Sequence, residues 1–120
     1  MSDVVHAVAR AADSESPRAD RAHAAAETVR NAHGYRWVGI YDVGDDEFTI
    51  VAQAGSSSRD EAIRIRSTVA GSTALVPVLG AESGIVIGLL HVESDRVDLR
   101  ADAEIDFLEE CAAVLRPLYD

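Results

Sequence analysis

The chain has 120 residues and a formal net charge of −10, with 21 acidic side chains, 11 arginines and no lysine. This length predicts one domain, spanning residues 1–120, that buries its own core without disulfides. The acidic balance excludes nucleic acid and anionic membrane surfaces as expected partners, because both require a basic patch. The sequence shows neither an apolar run of membrane-spanning length nor a signal-peptide pattern, so we expect a cytoplasmic location.

Two helical patterns open the chain. Valine and alanine recur at helical spacing from Asp3 to Asp13, which predicts that residues 1–16 form an N-terminal helix or arm attached to a core of residues 17–120. Ser16 followed by Pro17 is typical of a helix start, with Ser16 as the N-cap. An alanine stripe then continues to Gly34 and predicts a second helix, whose small side chains let another helix approach closely.

The next apolar pattern has the two-residue period of strands. Tyr35–Val43 and Glu47–Ala54 flank a Gly-Asp-Asp turn, which predicts an antiparallel hairpin. Within the first strand, Trp37 and Tyr41 share one face, because successive side chains of a strand point to opposite sides. This hairpin therefore has an aromatic face and an aliphatic face.

The most apolar part of the chain predicts a second hairpin over Ser72–Ser94, with its turn at Gly80–Gly84. Both of its faces are apolar, so we expect helices to cover one of them. Alternation over Ala62–Ser67 predicts a short edge strand with arginines toward water. Asp102–Leu118 predicts the last helix, with Ile105 on its buried stripe.

Strand alternation assigns one group of side chains to a shared face of the sheet. The group consists of Trp37, Tyr41, Thr73, His91 and Glu93. Aromatic rings beside an imidazole and a carboxylate are typical of a small-molecule site that suits an amine or a flat polar ring. The alternative is that His91 and Glu93 lie in water near a strand end. The four histidines are scattered along the chain, so we expect no metal and no cofactor. The single cysteine, Cys111, is expected to pack as a small apolar residue in the last helix.

Several motifs in order resemble a GAF domain. They are Trp37–Tyr41 (WVGIY), Ser72–Val78 (STALVPV) and Val86–Ser94 (VIGLLHVES), followed by an acidic terminal helix. Within that family the chain is similar to free methionine-(R)-sulfoxide reductases, over roughly Pro17–Asp120. The resemblance implies an α+β fold with an antiparallel sheet of five or six strands, N- and C-terminal helices packed on one face, and a ligand pocket over the other.

The sequence departs from those reductases at the residues that carry their chemistry. The reductases have cysteines in the segment that corresponds to Gly55–Gly71, which here has none and is too short for the family's pocket roof. Thr73 stands where they have a glutamate, and His91 and Glu93 stand where they have two aspartates. Reduction of a sulfoxide by thiols requires a nucleophilic thiolate and a resolving partner, so we expect no enzymatic activity.

Hypotheses from different functional classes follow. In the first, a shortened, non-catalytic GAF-like domain acts in signalling or regulation by protein association, as a homodimer or with a partner protein, because a large apolar sheet face is seldom left in water. The interface is then either this face or the helix layer. In the second, the five side chains of the shared face bind a small molecule and the helices report its presence. Reductase activity remains the hypothesis that the family resemblance alone suggests, and it would depend on the single cysteine, Cys111.

Overall fold

The computed structural model describes residues 3–55, 73–80, 84–95 and 97–119. In chain order they form α1 (Asp3–Ala12), α2 (Arg18–His33), β1 (Trp37–Val43), β2 (Phe48–Gly55), β3 (Thr73–Leu79), β4 (Val86–Glu93), α3 (Asp102–Ala113) and a 3-10 helix (Arg116–Tyr119). No helix in these ranges is both long enough and apolar enough to cross a membrane.

The strands form one antiparallel sheet in the order β2-β1-β4-β3. Both predicted hairpins are confirmed, as β1–β2 and β3–β4, and the α+β class is confirmed with them. Four strands lie in the described ranges, against the five or six that the resemblance implied. The predicted edge strand Ala62–Ser67 lies outside the described residues.

The core lies between the helices and one face of the sheet, which we call the inner face; the opposite one is the outer face. Three alanines of the α2 stripe, Ala22, Ala25 and Ala26, are fully buried, in agreement with the close packing that their small side chains predicted. The inner face contributes branched side chains from β1, β3 and β4, and β2 contributes the buried Ala54. The largest of these inner-face residues are Val38, Ile40, Val76, Val78, Leu90 and Val92. Their removal from water is the main source of stability for this arrangement.

The N-terminal segment is an ordered part of this core rather than a loose arm. Val5, Val8 and Ala12 of α1 are all fully buried. Arg21 of α2 donates a hydrogen bond from Nη1 to the carbonyl of Ala12 at 2.8 Å, which satisfies one of the carbonyl groups that a helix end leaves unpaired.

Three details of the helices differ from the predictions. Helix α2 begins after Pro17, whose carbonyl accepts the Arg21 N–H at 3.0 Å, so the prediction of Ser16 as a side-chain cap is wrong. Helix α3 ends at Ala113 instead of Leu118, because Pro117 has no N–H to donate to the Ala113 carbonyl. Ile105 is 36% exposed rather than buried, since it lies beside β3 at the open edge of the described sheet.

The C-terminal 3-10 helix is held against β1 and α2 by side chains. The Tyr119 hydroxyl donates to the carbonyl of Tyr41 at 2.8 Å. Arg18 donates from Nε to the carbonyl of Leu118 at 2.6 Å and forms an ion pair with Asp42. The hydrogen bond to Asp42 raises the pKa of Arg18, and burial raises the pKa of Tyr119 to about 12.

A second cluster joins the end of α2 to the start of α3. The buried Tyr35 donates its hydroxyl hydrogen bond to Glu104, whose Oε2 lies 2.5 Å from Nδ1 of His33. The His33 ring also packs on Phe107, with 4.4 Å between ring centroids. Burial, followed by the hydrogen bond to Glu104, raises the pKa of Tyr35 well above its usual range. The cluster fixes the two helices relative to each other.

Candidate functional site

The strand register places all five predicted site residues on the outer face. Trp37, Glu93 and Thr73 lie directly opposite one another across β1, β4 and β3, and opposed residues of antiparallel strands share a face. Tyr41 and His91 follow on the same face by alternation. The structure thus brings the predicted set together, and we call these five residues the polar half of the outer face.

The imidazole of His91 lies between the two aromatic rings. Its centroid is 4.9 Å from that of Trp37 in an edge-to-face arrangement and 6.2 Å from that of Tyr41. The indole is fully buried and donates from Nε1 to Oε1 of Gln53 at 3.0 Å. Gly39 makes room for it, because a Cβ at that position would overlap the indole ring. The aromatic part of the site is therefore closely packed.

The carboxylate of Glu93 has charged partners within the protein. Nη2 of Arg36 lies 2.7 Å from its Oε1, and Nε2 of His91 lies 3.4 Å from its Oε2. Glu93 is only 2% exposed, so the alternative that this carboxylate lies in water is wrong. Arg36 also approaches Asp95, with 3.2 Å between Nε and Oδ1. Arg36 was missed from the sequence; the available signal was its position immediately before β1, next to the strand that carries Trp37.

Thr73 supplies a hydroxyl group that is buried yet has no hydrogen-bond partner within the described part of the chain. A buried hydroxyl without a partner costs free energy, so such groups are rare in folded proteins. The position of Thr73 opposite Glu93 places this hydroxyl at the same end of the sheet as the Arg36–Glu93 pair.

Comparison with known proteins bears on the fold. The sequence matches no protein-family model and no curated protein. Solved structures do match: a GAF domain from an Acinetobacter phosphoenolpyruvate-protein phosphotransferase superposes with a TM-score of 0.73 at 16% identity, covering 98% of this chain and 93% of that one. The chain has the GAF fold.

Two further structures with the GAF fold match as well. Free methionine-R-sulfoxide reductase from Neisseria meningitidis, solved with its substrate, gives a TM-score of 0.73 at 20% identity, covering 98% of this chain and 86% of that one. A protein described as a GAF sensor, from Burkholderia vietnamiensis, gives 0.73 at 16% identity, covering 98% and 94%. Identities this low show a shared fold, and the fold is common to sensors and to an enzyme.

The single cysteine of this GAF fold lies on the helix side of the sheet. Cys111 is fully buried in α3, beside Leu108 and Ala112 of the core cluster. Burial raises the pKa of the Cys111 thiol to about 12, with the charges of Glu110 and Glu104 adding to the effect. The thiol is therefore protonated near neutral pH and has no access to the outer face. The described residues contain no group of three or more side chains that could hold a metal ion.

Four large apolar side chains of the outer face are exposed. Phe48 is 64% exposed, Leu75 59%, Leu79 45% and Ile50 41%. Phe48 and Ile50 lie opposite Val43 and Tyr41, and Leu75 lies opposite His91, so these residues lie on the two outermost described strands, β2 and β3, with β1 and β4 between them. We call Phe48, Ile50, Leu75 and Leu79 the apolar half of the outer face.

The described residues also line two grooves between β3 and α3. One, of about 510 Å³, is lined by apolar residues that include Val76 and Ala113 and by the charged residues Glu109 and Arg116. None of the five predicted site residues lines it. The other groove, of about 250 Å³, extends along β3 to Thr73.

Proposed function

We propose that the chain is a non-catalytic regulatory domain of the GAF type that forms a homodimer through the apolar half of its outer face. The observation that carries this proposal is the exposure of four large apolar side chains, each at least 41% exposed, on one side of one sheet. Contiguous apolar patches on soluble proteins mark interaction sites, because covering them removes apolar surface from water at about 25 cal/mol per Å².

The face of the sheet is a better interface than its edge. Strand β3 is the outermost strand of the described sheet, and Pro77 lies near its centre. Proline has no N–H to donate to a partner strand, so it opposes edge-to-edge pairing. A second copy that packs face to face instead covers Leu75 and Leu79 without any new strand pairing.

Several properties of Cys111 support a role without thiol chemistry. Catalytic thiols are thiolates in exposed, electropositive surroundings. Cys111 has the opposite surroundings, since it is buried among apolar side chains and its pKa is raised by acidic neighbours. Replacement by alanine is expected to leave every functional property of the chain unchanged.

A matched pair of substitutions tests the interface. Ile50→Asp places a charge on the apolar half of the outer face, and Ile105→Asp places the same charge at a similarly exposed position on α3. Sedimentation-velocity centrifugation measures the mass of each variant. We expect a dimer for the wild type and Ile105→Asp, and a monomer for Ile50→Asp, because burial of an unpaired carboxylate in an interface is costly.

The pair of variants also separates the two interfaces left open by the sequence. Dissociation by Ile105→Asp alone would place the contact in the helix layer and overturn the outer-face proposal. A wild-type chain that stays monomeric at high concentration would overturn association altogether. Both changed residues are already exposed in the folded chain, so neither change is expected to unfold it.

A second candidate function is small-molecule sensing at the polar half of the outer face. The specific observation in its favour is the buried, unpartnered hydroxyl of Thr73 within the described part of the chain, at the end of a sheet that also carries two aromatic rings. Trp37 is the only tryptophan of the sequence, so its fluorescence reports this site directly. A change in that fluorescence on addition of a metabolite, absent in Thr73→Val, is the expected result. Flat responses across a metabolite panel would contradict sensing.

A further inference from the structure

The larger groove between β3 and α3 combines apolar surface with two opposite charges. Its apolar lining includes Val76, Pro77 and Ala113. Glu109 and Arg116 also line it and supply a carboxylate and a guanidinium. Both charged residues are exposed, and neither forms an ion pair with another residue in the described ranges. The volume of about 510 Å³ is typical of pockets that hold small molecules.

The helix sets the distance between these two charges. Glu109, Ala113 and Arg116 follow one another at steps of four and three residues, so they lie on one face of the helical path. The N–H of Val114 still donates to the Glu110 carbonyl at 3.3 Å, which continues this path beyond the end of α3. At a rise of about 1.5 Å per residue, Glu109 and Arg116 are separated by about 10 Å along the axis. A ligand that meets both charges therefore spans about 10 Å.

An extended peptide of three residues has this length and this charge pattern. Each residue of an extended chain spans at most about 3.3–3.6 Å, so the terminal ammonium and carboxylate of a tripeptide lie about 10 Å apart. Strand β3 runs along the groove as the outermost strand of the described sheet, so it offers backbone groups to the amides of an extended ligand. Pro77 removes one N–H from this strand, which favours a short peptide over a full partner strand.

We propose that the larger groove binds a short apolar peptide of about three residues with free termini, its ammonium at Glu109 and its carboxylate at Arg116. The planar guanidinium of Arg116 suits a carboxylate, which it can meet with two hydrogen bonds. The apolar side chains of the peptide cover Val76 and Ala113 and remove apolar surface from water. The site is separate from the polar half of the outer face, because none of those five residues lines the groove.

Four related ligands test the two charges and the peptide character. The probe is the tripeptide Ala-Val-Ala with free termini; its N-acetyl form and its C-terminal amide each lack one charge. The compound 8-aminooctanoate keeps both charges at a similar separation but has no amides. Each ligand is titrated into the full chain by calorimetry, with the shift in melting temperature as a second readout. We expect Ala-Val-Ala to bind about three- to tenfold more tightly than each of the others, because ion pairs at a partly exposed site contribute modestly.

Variants of the two charged residues assign each end of the peptide. Glu109→Gln should weaken binding of Ala-Val-Ala about three- to tenfold and leave the N-acetyl form unaffected, since that form has no ammonium to lose. Arg116→Gln should weaken Ala-Val-Ala to a similar extent and leave the C-terminal amide unaffected. Glu110→Gln and Arg10→Gln make the same charge changes at exposed positions outside the groove and should change no affinity. Thermal melting of each variant verifies that it is folded.

Each part of this proposal has a result that overturns it. Equal binding of the free and the capped peptides would overturn recognition of the two termini. An equal loss in Glu109→Gln and Glu110→Gln would overturn the specific role of Glu109. Tighter binding of 8-aminooctanoate than of Ala-Val-Ala would overturn the assignment of a peptide. If Ala-Val-Ala at millimolar concentration produces no heat and no shift in melting temperature, the groove is not a peptide site.

Discussion

Trp37 and Gly39 lie two residues apart on the outer face of β1, and the indole of the first covers the second. The glycine lacks a Cβ, and the ring occupies the space that a Cβ would fill. The packing of the largest side chain of the site therefore depends on the absence of another side chain. Glycine inside a strand commonly marks such a close approach.

Gly39→Ala tests this dependence. The added methyl group must displace the indole, so we expect the free energy of unfolding to fall by about 1–3 kcal/mol, as for other overpacked sites. Urea denaturation followed by Trp37 fluorescence measures the change. The control is Gly44→Ala in the β1–β2 turn, where a Cβ would meet only the Glu47 carbonyl, at an ordinary 3.4 Å. Equal stability of the two variants would contradict the packing described for Trp37.

The residues of the site differ in how well the sequence predicts them. Trp37, Tyr41 and His91 follow from alternation along single strands, which is a local property. Arg36 does not, because its contact with Glu93, 57 positions away in the chain, depends on the register between β1 and β4. Long-range register is set by the whole sheet and by what covers it, so a local pattern does not specify which arginine meets which carboxylate.

At the scale of elements, the two hairpins were predictable because of the residues in their turns. The β1–β2 and β3–β4 hairpins were found because glycine-containing turns separate β-branched runs. The C-terminus was harder: the apolar period continues to Leu118, but the backbone changes to a 3-10 helix at Arg116. Pro117 was the local sign of that change, and the contacts of Tyr119 with β1 are the tertiary reason that the segment turns inward.

Two variants of Tyr119 separate the contributions of its hydroxyl group and of its ring to the stability of the chain. Tyr119→Phe removes the hydrogen bond to the Tyr41 carbonyl, and we expect a loss of about 0.5–1.5 kcal/mol in the free energy of unfolding. Tyr119→Leu also removes the ring over which Arg18 lies, 5.3 Å from the ring centroid, and should be less stable still. The measurement is the urea midpoint of each variant at one pH. If both variants match the wild type, the 3-10 helix does not hold β1.

At the scale of the whole molecule, the two faces of the sheet have opposite chemistry. The inner face is aliphatic and packs against the helices, and buried groups with raised pKa values lie in or beside this layer. These groups are Cys111, Tyr35 and Tyr119. Each is neutral when protonated, and burial favours the neutral form. The helix layer is therefore sensitive to high pH.

The pH dependence of stability follows from the direction of these shifts. The thiol of Cys111 has its pKa raised from 9.0 to about 12 on folding, so the unfolded chain loses this proton first as the pH rises. The stability that the buried thiol contributes is fully present below pH 9 and is lost as the pH rises from 9 to 12. For each such group, the free energy of unfolding falls by about 1.4 kcal/mol per pH unit once the unfolded form is ionised. Chemical denaturation at a series of pH values measures the slope.

Cys111→Ala isolates the part of that slope that belongs to the thiol. The variant should lose the fall in stability that starts near pH 9. It should keep the fall that the two tyrosines contribute above pH 10, which is the ordinary pKa of a tyrosine. Alanine is smaller than cysteine, so a modest loss of stability at neutral pH is expected and does not affect the slope. A wild-type stability that stays constant from pH 8 to pH 11 would contradict the burial of these groups.

The seclusion of Cys111 has a practical consequence for labelling. Because the chain has one cysteine and its thiol is protonated and enclosed at neutral pH, reagents such as maleimides should leave the wild type unmodified. A cysteine placed at an exposed position, for example Asp45→Cys, is then the single reactive site of each copy. Spin labels at that site would give one distance between two copies, and that distance reports how far apart the two β1–β2 turns lie.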